Sequence, residues 1–208
     1  AADELGGQLQ LARRAPHRQD IAAITDWLSQ EIKRVGVEVR TGTVVDVEYL
    51  ATQAVDAVVV ATGGESRRDG IQQKRPDALV RGVDLPHVVT AEDVLGGRVK
   101  EVGHAVVFDD LAGIIGVSVA EDLLERGCRV TYVTSHDDIA ASLGPSLQRD
   151  PAQQRLRSYS GFRGLVGKAL IEIRPTEVLV EDLDGSNPEW VAADAVVLVS
   201  GAEPRTEL

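Results

Sequence analysis

The segment Val55-Asp56-Ala57-Val58-Val59-Val60-Ala61-Thr62-Gly63-Gly64-Glu65-Ser66-Arg67-Arg68 recurs near the other end of the chain. There it reads Ala193-Asp194-Ala195-Val196-Val197-Leu198-Val199-Ser200-Gly201-Ala202-Glu203-Pro204-Arg205-Thr206, with seven of fourteen positions identical. Each copy is a short apolar run led by an Asp and closed by a small residue and a glycine. A buried parallel strand that meets a nucleotide at its carboxyl end has this form. Two copies predict an α/β chain with two lobes of dinucleotide-binding type, divided near residue 100. Yet no GxGxxG occurs, so the phosphate-binding half of both sites is absent or altered.

With 208 residues, 43% of them hydrophobic, the chain can bury a sizeable core and suits one large or two small domains, of which two fits the repeat better. A formal charge of -11 and no Lys/Arg cluster argue against a nucleic-acid partner, which needs a basic face. The single cysteine, Cys128, excludes an internal disulfide, a CxxC pair and a cysteine-held cluster within this chain. It fits a reducing, cytoplasmic setting. No run of 18 apolar residues predicts a membrane span. The lack of methionine, and a start that enters a glycine pair with no strand before it, give the expectation of a piece of a longer protein.

Ile21, Ile24, Leu28 and Ile32 fall on one face of a helix that ends at Gly36. Short strands are expected at 37–40 and 43–47, and a buried one at 57–61. Residues 64–100 read as a connector, within which Thr90 caps a helical turn with Asp93 three residues on. Strand 105–108, helix 116–126 stopped by Gly127, and strand 129–133 form a βαβ unit. The pattern weakens over 135–168. Strands at 171–173, 177–181 and 190–192, with a turn at 184–187, then form a meander that leads into strand 195–199.

Gly6-Gly7 serves either as a loop or as a place where backbone N–H groups approach a pyrophosphate, with Ala61-Thr62-Gly63 closing over the same nucleotide. In the βαβ unit the phosphate loop runs from Phe108 to Gly116. Gly113 and Gly116 keep a GxxG, but Asp109 and Asp110 hold the place of the first glycine. A carboxylate beside a pyrophosphate costs about 4 kcal/mol per close contact at an effective dielectric of about 20, so NAD(P)H is not expected here. Thr134 agrees, standing where an acid would hold an NAD ribose. Cys128, Trp27 and Trp190 read as packing residues, and His17, His87, His104 and His136 as scattered surface or turn residues without metal-ligand spacing.

Leu5-Gly6-Gly7-Gln8-Leu9-Gln10-Leu11-Ala12 followed by Pro16, the Asp56–Gly63 strand and the Asp194–Gly201 strand resemble the carboxyl-terminal portion of the trimethylamine dehydrogenase and 2,4-dienoyl-CoA reductase family. These are iron–sulfur flavoproteins of the old yellow enzyme type. The amine dehydrogenase branch is the closer match, on Glu65–Gly70 after the ATG and on the altered second loop before Ser118-Val119-Ala120-Glu121. The resemblance implies a truncated, glutathione-reductase-like, two-lobed FAD/NAD(P)-binding (Rossmann-type) fold. It places FAD or ADP in residues 1–100, with Gly6, Gly7 and Gln8 near the pyrophosphate, Val44 near the adenine and Ala61, Thr62 and Gly63 over the nucleotide. Residues 101–208 become the NAD(P)-binding-like lobe, with Gly113 and Gly116 in its loop. FMN and a four-iron cluster would belong to a barrel domain of the parent, which with an electron-transfer partner completes the expected associations. No residue of the chain is expected to act as acid, base or nucleophile. Two other readings are an NAD(P)H-binding part of an enoate or dienoyl-CoA reductase, and a stand-alone interaction module without cofactor.

Overall fold

A computed structural model of the chain describes residues 3–100 and 102–206. The chain forms two compact units, one of residues up to 65 joined by those from 202 onward, the other Ser66–Gly201. In the first unit a glycine turn leads into α1 (Gln8–Ala12), and a short 3-10 turn at Gln19–Ala22 leads into α2 (Ala23–Arg34). Gly36, at φ 79°, ends α2 where the periodicity put the stop. The expected strands at 37–40 and 43–47 do not form. Val47 instead opens α3 (Val47–Ala51), because Asp46 accepts a hydrogen bond from the Tyr49 N–H at 2.7 Å and caps a helix there.

Residues 57–61 are not a strand either. They run unpaired and Val59 is 89% exposed. An extended segment becomes a strand only when a neighbour takes up its backbone N–H and C=O groups, and none of the described residues does so here. The apolar face of α2 is likewise uncovered, with Ile24, Trp27 and Leu28 exposed. β1 (Gly64–Ser66) follows.

The expected connector belongs to the second unit. β2 (Val88–Thr90) pairs in parallel with a core strand, and α4 (Ala91–Leu95) packs beneath it. The Thr90 hydroxyl accepts from the Asp93 N–H at 3.3 Å, and the Asp93 carboxylate accepts from the Thr90 N–H at 2.9 Å, closing the anticipated capping box. The compact boundary therefore lies at 65/66 rather than near 100, because β2 is an integral strand of the larger sheet.

The βαβ unit is present as read: β3 (His104–Asp109), α5 (Ile114–Glu125) and β4 (Arg129–Val133), with β3 and β4 parallel. The stretch of weak pattern contains a helix and a strand that periodicity did not reveal, α6 (Arg149–Ser158) and β5 (Phe162–Leu165). α6 buries only Ala152, Gln153 and Leu156, too narrow an apolar stripe to register against its polar residues. β6 (Lys168–Arg174), β7 (Glu177–Asp182) and β8 (Glu189–Ala192) form the antiparallel meander, and β9 (Ala195–Val199) returns to the parallel sheet.

The sheet order is β2-β9-β3-β4-β5. β3, β4 and β9 are buried on both faces, whereas edge strand β5 is partly exposed. Val106, Phe108, Val196 and Leu198 pack with Leu170, Val178, Val180 and Val191 of the meander, while α4 and α5 cover the other side. β10 (Ala202–Pro204) then pairs with β1. The two repeat copies thus have opposite fates: β9 is buried in the middle of a sheet, and its counterpart is unpaired.

Candidate nucleotide sites

In the first unit Gly6 and Gly7 have φ of 108° and 51°, values open to glycine at little cost. The Gln8 amide donates to the Gly64 carbonyl at 3.4 Å, which brings this turn beside the Ala61–Gly63 segment. The Thr62 hydroxyl donates to the Arg205 carbonyl at 2.8 Å, and the Arg205 N–H donates to the Gly63 carbonyl at 3.0 Å. At Gly7 and at Gly63 nothing lies within 4 Å of where a Cβ would stand, so both backbones face open space. A glycine turn with free approach to its backbone fits a phosphate group. Val44 is exposed in the unpaired stretch before α3.

In the second unit Gly113 caps α5, the helix that should point its N-terminus at a dinucleotide. The cradle is already filled. Asp109, fully buried at the end of β3, accepts from the Leu111 N–H at 3.0 Å, from the Gly113 N–H at 3.1 Å, and from the Tyr132 hydroxyl of β4. A Cβ on Gly116 would lie 2.1 Å from the Asp109 Oδ2. The space that close helix-on-strand packing gives this glycine is taken by the carboxylate. Burial pushes the Asp109 carboxyl up to about 6, against the pull of Tyr132 and the loop N–H groups, and pushes the Tyr132 phenol well above its usual range.

Asp109 and Asp110 had been expected to face a pyrophosphate together. Asp110 instead turns away. Its carboxylate accepts from the Gln73 N–H at 2.7 Å and from the Ser135 hydroxyl at 3.3 Å. The Lys74 ammonium donates to the Ser135 carbonyl at 2.7 Å, and Arg75 pairs with Glu181 at 2.7 Å. The buried Gln72 amide both donates to the Leu170 carbonyl (2.8 Å) and accepts from the Leu170 N–H (3.0 Å). Residues 72–75 therefore form a strap across the carboxyl ends of β3 and β4. Gln72→Ala should cost about 1–3 kcal/mol in urea unfolding, because it leaves two buried backbone groups of Leu170 without their partner.

Tyr132 and the strap were not anticipated as parts of this site. A lone tyrosine in the apolar run of β4 was the available signal, since a buried phenol needs an acceptor. Nothing in the strap's periodicity pointed to it, because Gln73 acts through its backbone.

The remaining expectations divide. Cys128 is buried, with its thiol pushed up by desolvation, as a packed residue should be. His104 is half-buried at the start of β3, with its Nε2 2.9 Å from the Thr131 hydroxyl, and desolvation holds its pKa down. The tryptophans are less packed than expected, Trp27 being 56% exposed and Trp190 carrying the Arg174 guanidinium 3.9 Å from its ring centroid on the open face of the meander. Among the described residues no His/Cys/Asp/Glu group could hold a metal ion, and no helix is long and apolar enough to cross a membrane.

Residues 46–208 match the model of the pyridine nucleotide-disulphide oxidoreductase family. The chain belongs to that family. The pyridine nucleotide-disulphide oxidoreductase fold explains the sheet order and the meander, and its disulphide chemistry has no counterpart within a chain of one cysteine.

Among curated relatives, the chain is 34% identical to an NADH oxidase of Thermoanaerobacter brockii over 96% of its length. It is 36% identical to an N,N-dimethylglycine/sarcosine dehydrogenase of Chromohalobacter salexigens over 98%. It spans 29% of each of those proteins. Among solved structures, a 6-hydroxypseudooxynicotine amine oxidase from Pseudomonas geniculata N1 superposes with a TM-score of 0.92 at 32% identity, over 98% of this chain and 30% of that one. A histamine dehydrogenase from Rhizobium sp. 4-9 shares the fold at a TM-score of 0.90 and 23% identity, over 97% of this chain and 31% of that one. These neighbours bear out the resemblance to the trimethylamine dehydrogenase and 2,4-dienoyl-CoA reductase type of flavoprotein. The chain is a partial match to flavin-dependent oxidoreductases, carrying their FAD/NAD(P)-binding type of domain.

Proposed function

We propose that this chain is the nucleotide-domain portion of a cytoplasmic amine dehydrogenase-like flavoenzyme. Its first unit receives FAD or ADP, and its second unit serves as a support that takes up no NAD(P)H. The contrast between the two glycine loops carries this reading: the first opens onto free space at Gly7, with Gly6 packed against Gln10 and Thr25 behind it, and the one at Gly113–Gly116 is filled by Asp109. The similarity to a dimethylglycine/sarcosine dehydrogenase and to an amine oxidase supports the amine branch. Gly6, Gly7, Gln8 and Ala61–Gly63 would hold the pyrophosphate side of the nucleotide, with Val44 toward the adenine. A bound FAD would supply flavin redox chemistry, whereas ADP would only brace the unit. Substrate oxidation at FMN, the four-iron cluster and the barrel that holds them belong to the longer protein, as does any electron-transfer partner.

A second reading rests on the NADH oxidase relative: a reductase whose Gly113 and Gly116 still help bind NAD(P)H. Titration separates the two. ADP or FAD should raise the unfolding midpoint reported by Trp27, by about 2.7 kcal/mol of stabilisation at a hundredfold excess over Kd. Gly7→Val, which sets a β-branched side chain at φ 51° in the open cradle, should remove the effect. A midpoint that responds to neither ligand sinks the assignment of the first unit, and micromolar NAD(P)H binding favours the reductase.

A further inference from the structure

The second unit has the frame of a dinucleotide site. β9 and β3 are adjacent parallel strands, with β4 and β5 continuing the sheet on the β3 side and β2 on the β9 side, and in open α/β sheets dinucleotides bind in the crevice at the carboxyl ends of such central strands. The N-terminus of α5 and the N–H groups of Leu111 and Gly113 point into it. Every donor named there is satisfied by one internal group, the carboxylate of Asp109. At the end of β4, where a dinucleotide's ribose would be held, the Ser135 carbonyl and hydroxyl are tied to Lys74 and Asp110, and Asp110 also takes the backbone of Gln73.

We propose that this crevice is closed from within, Asp109 acting as a built-in anion in the phosphate cradle and residues 72–75 as a strap over the ribose position, and that removing the carboxylate restores an anion site. The inference rests on the reading of the second unit given above and supplies its physical cause. Two features make the plug specific. The carboxylate receives a third donor, the Tyr132 hydroxyl, from a neighbouring strand, and Gly116 supplies the void in which it sits. An acid merely exposed beside the loop would have neither. With Asp109 replaced by glycine, the Leu111 and Gly113 N–H groups and the Tyr132 hydroxyl face an empty space without negative charge, and a phosphate can take the same three bonds.

The 208-residue chain and its Asp109→Gly and Asp109→Ser variants should be titrated with NADH by fluorescence and with inorganic pyrophosphate by calorimetry, after circular dichroism has established that each is folded. Both variants should bind pyrophosphate at least tenfold more tightly than the parent chain, and NADH should follow, displaced by pyrophosphate. Nucleotide taken up by the first unit is common to all three proteins and cancels, so failure of the FAD/ADP assignment leaves this comparison intact. Folded variants with no gain would overturn the proposal. So would micromolar NADH binding by the parent chain that pyrophosphate displaces and that Gly7→Val, which closes the first unit's cradle, leaves intact.

Discussion

Raising the pH from 4 to 7 should weaken the second unit relative to its Asp109→Asn variant by about 2.4 kcal/mol. The sign follows from the direction of the shift. Burial raises the Asp109 carboxyl from 3.8 to about 6 in the folded state, so over that window the folded chain holds a proton that the unfolded chain has released. The contribution is fully present below about 3.8, falls as pH rises and levels off above about 6. Asp69 and Asp93 act in the opposite sense. Hydrogen bonding from Arg67 lowers Asp69. For Asp93 desolvation is the largest single influence and pushes upward, but the Thr90 hydrogen bonds and the charges of Arg68 and Arg98 together outweigh it. Both are common to parent and variant, so the difference isolates Asp109. With Trp27 replaced by phenylalanine, Trp190 reports this unit alone in urea unfolding. A difference that stays constant with pH would mean that the carboxylate is hydrated rather than enclosed.

The same residues show how far the sequence could be read. The βαβ unit, the meander and the capping box at Thr90 were legible, because each rests on local periodicity or on a side chain facing its own backbone. The two Asp-Ala-Val-Val copies were not separable. One is β9, paired in register with β2 and β3, while the other is unpaired and exposed, and the difference lies in which neighbours are at hand rather than in the four residues themselves. Asp109 and Asp110 were visible as acids in a glycine's place, and reading them as a repelling pair was sound electrostatics. What could not be read was that Tyr132 draws one inward while a backbone N–H 37 residues earlier holds the other. Such contacts are set by tertiary register and leave no mark on a single stretch of sequence. Ile24, Leu28 and Val58–Val60 follow the same logic: their apolar patterning reads as buried, yet no described residue covers them.

Gly116→Ala should be among the most damaging single-methyl additions in the second unit. In an exposed helix interior this exchange normally gains about 0.5–1 kcal/mol, since alanine loses less backbone entropy. Here the new Cβ would meet the Asp109 Oδ2 at 2.1 Å, its Cγ at 2.4 Å and its Cβ at 2.7 Å, all on a fully buried side chain held by the loop. Either the carboxylate leaves its donors or α5 lifts from β3, and each route should cost about 3 kcal/mol or more. The three nearest atoms all belong to Asp109, so the penalty should vanish when that side chain is gone. In an Asp109→Gly background Gly116→Ala should be neutral or mildly stabilising. The double-mutant cycle would then give a coupling of about 4 kcal/mol, beyond the range of most contacting pairs. Unfolding of the four proteins followed at Trp190 measures it directly. A penalty of equal size in both backgrounds would place the obstruction in the packing of α5 on β3. The glycine would then be kept for helix-on-strand approach alone, and the carboxylate would sit beside that void without filling it.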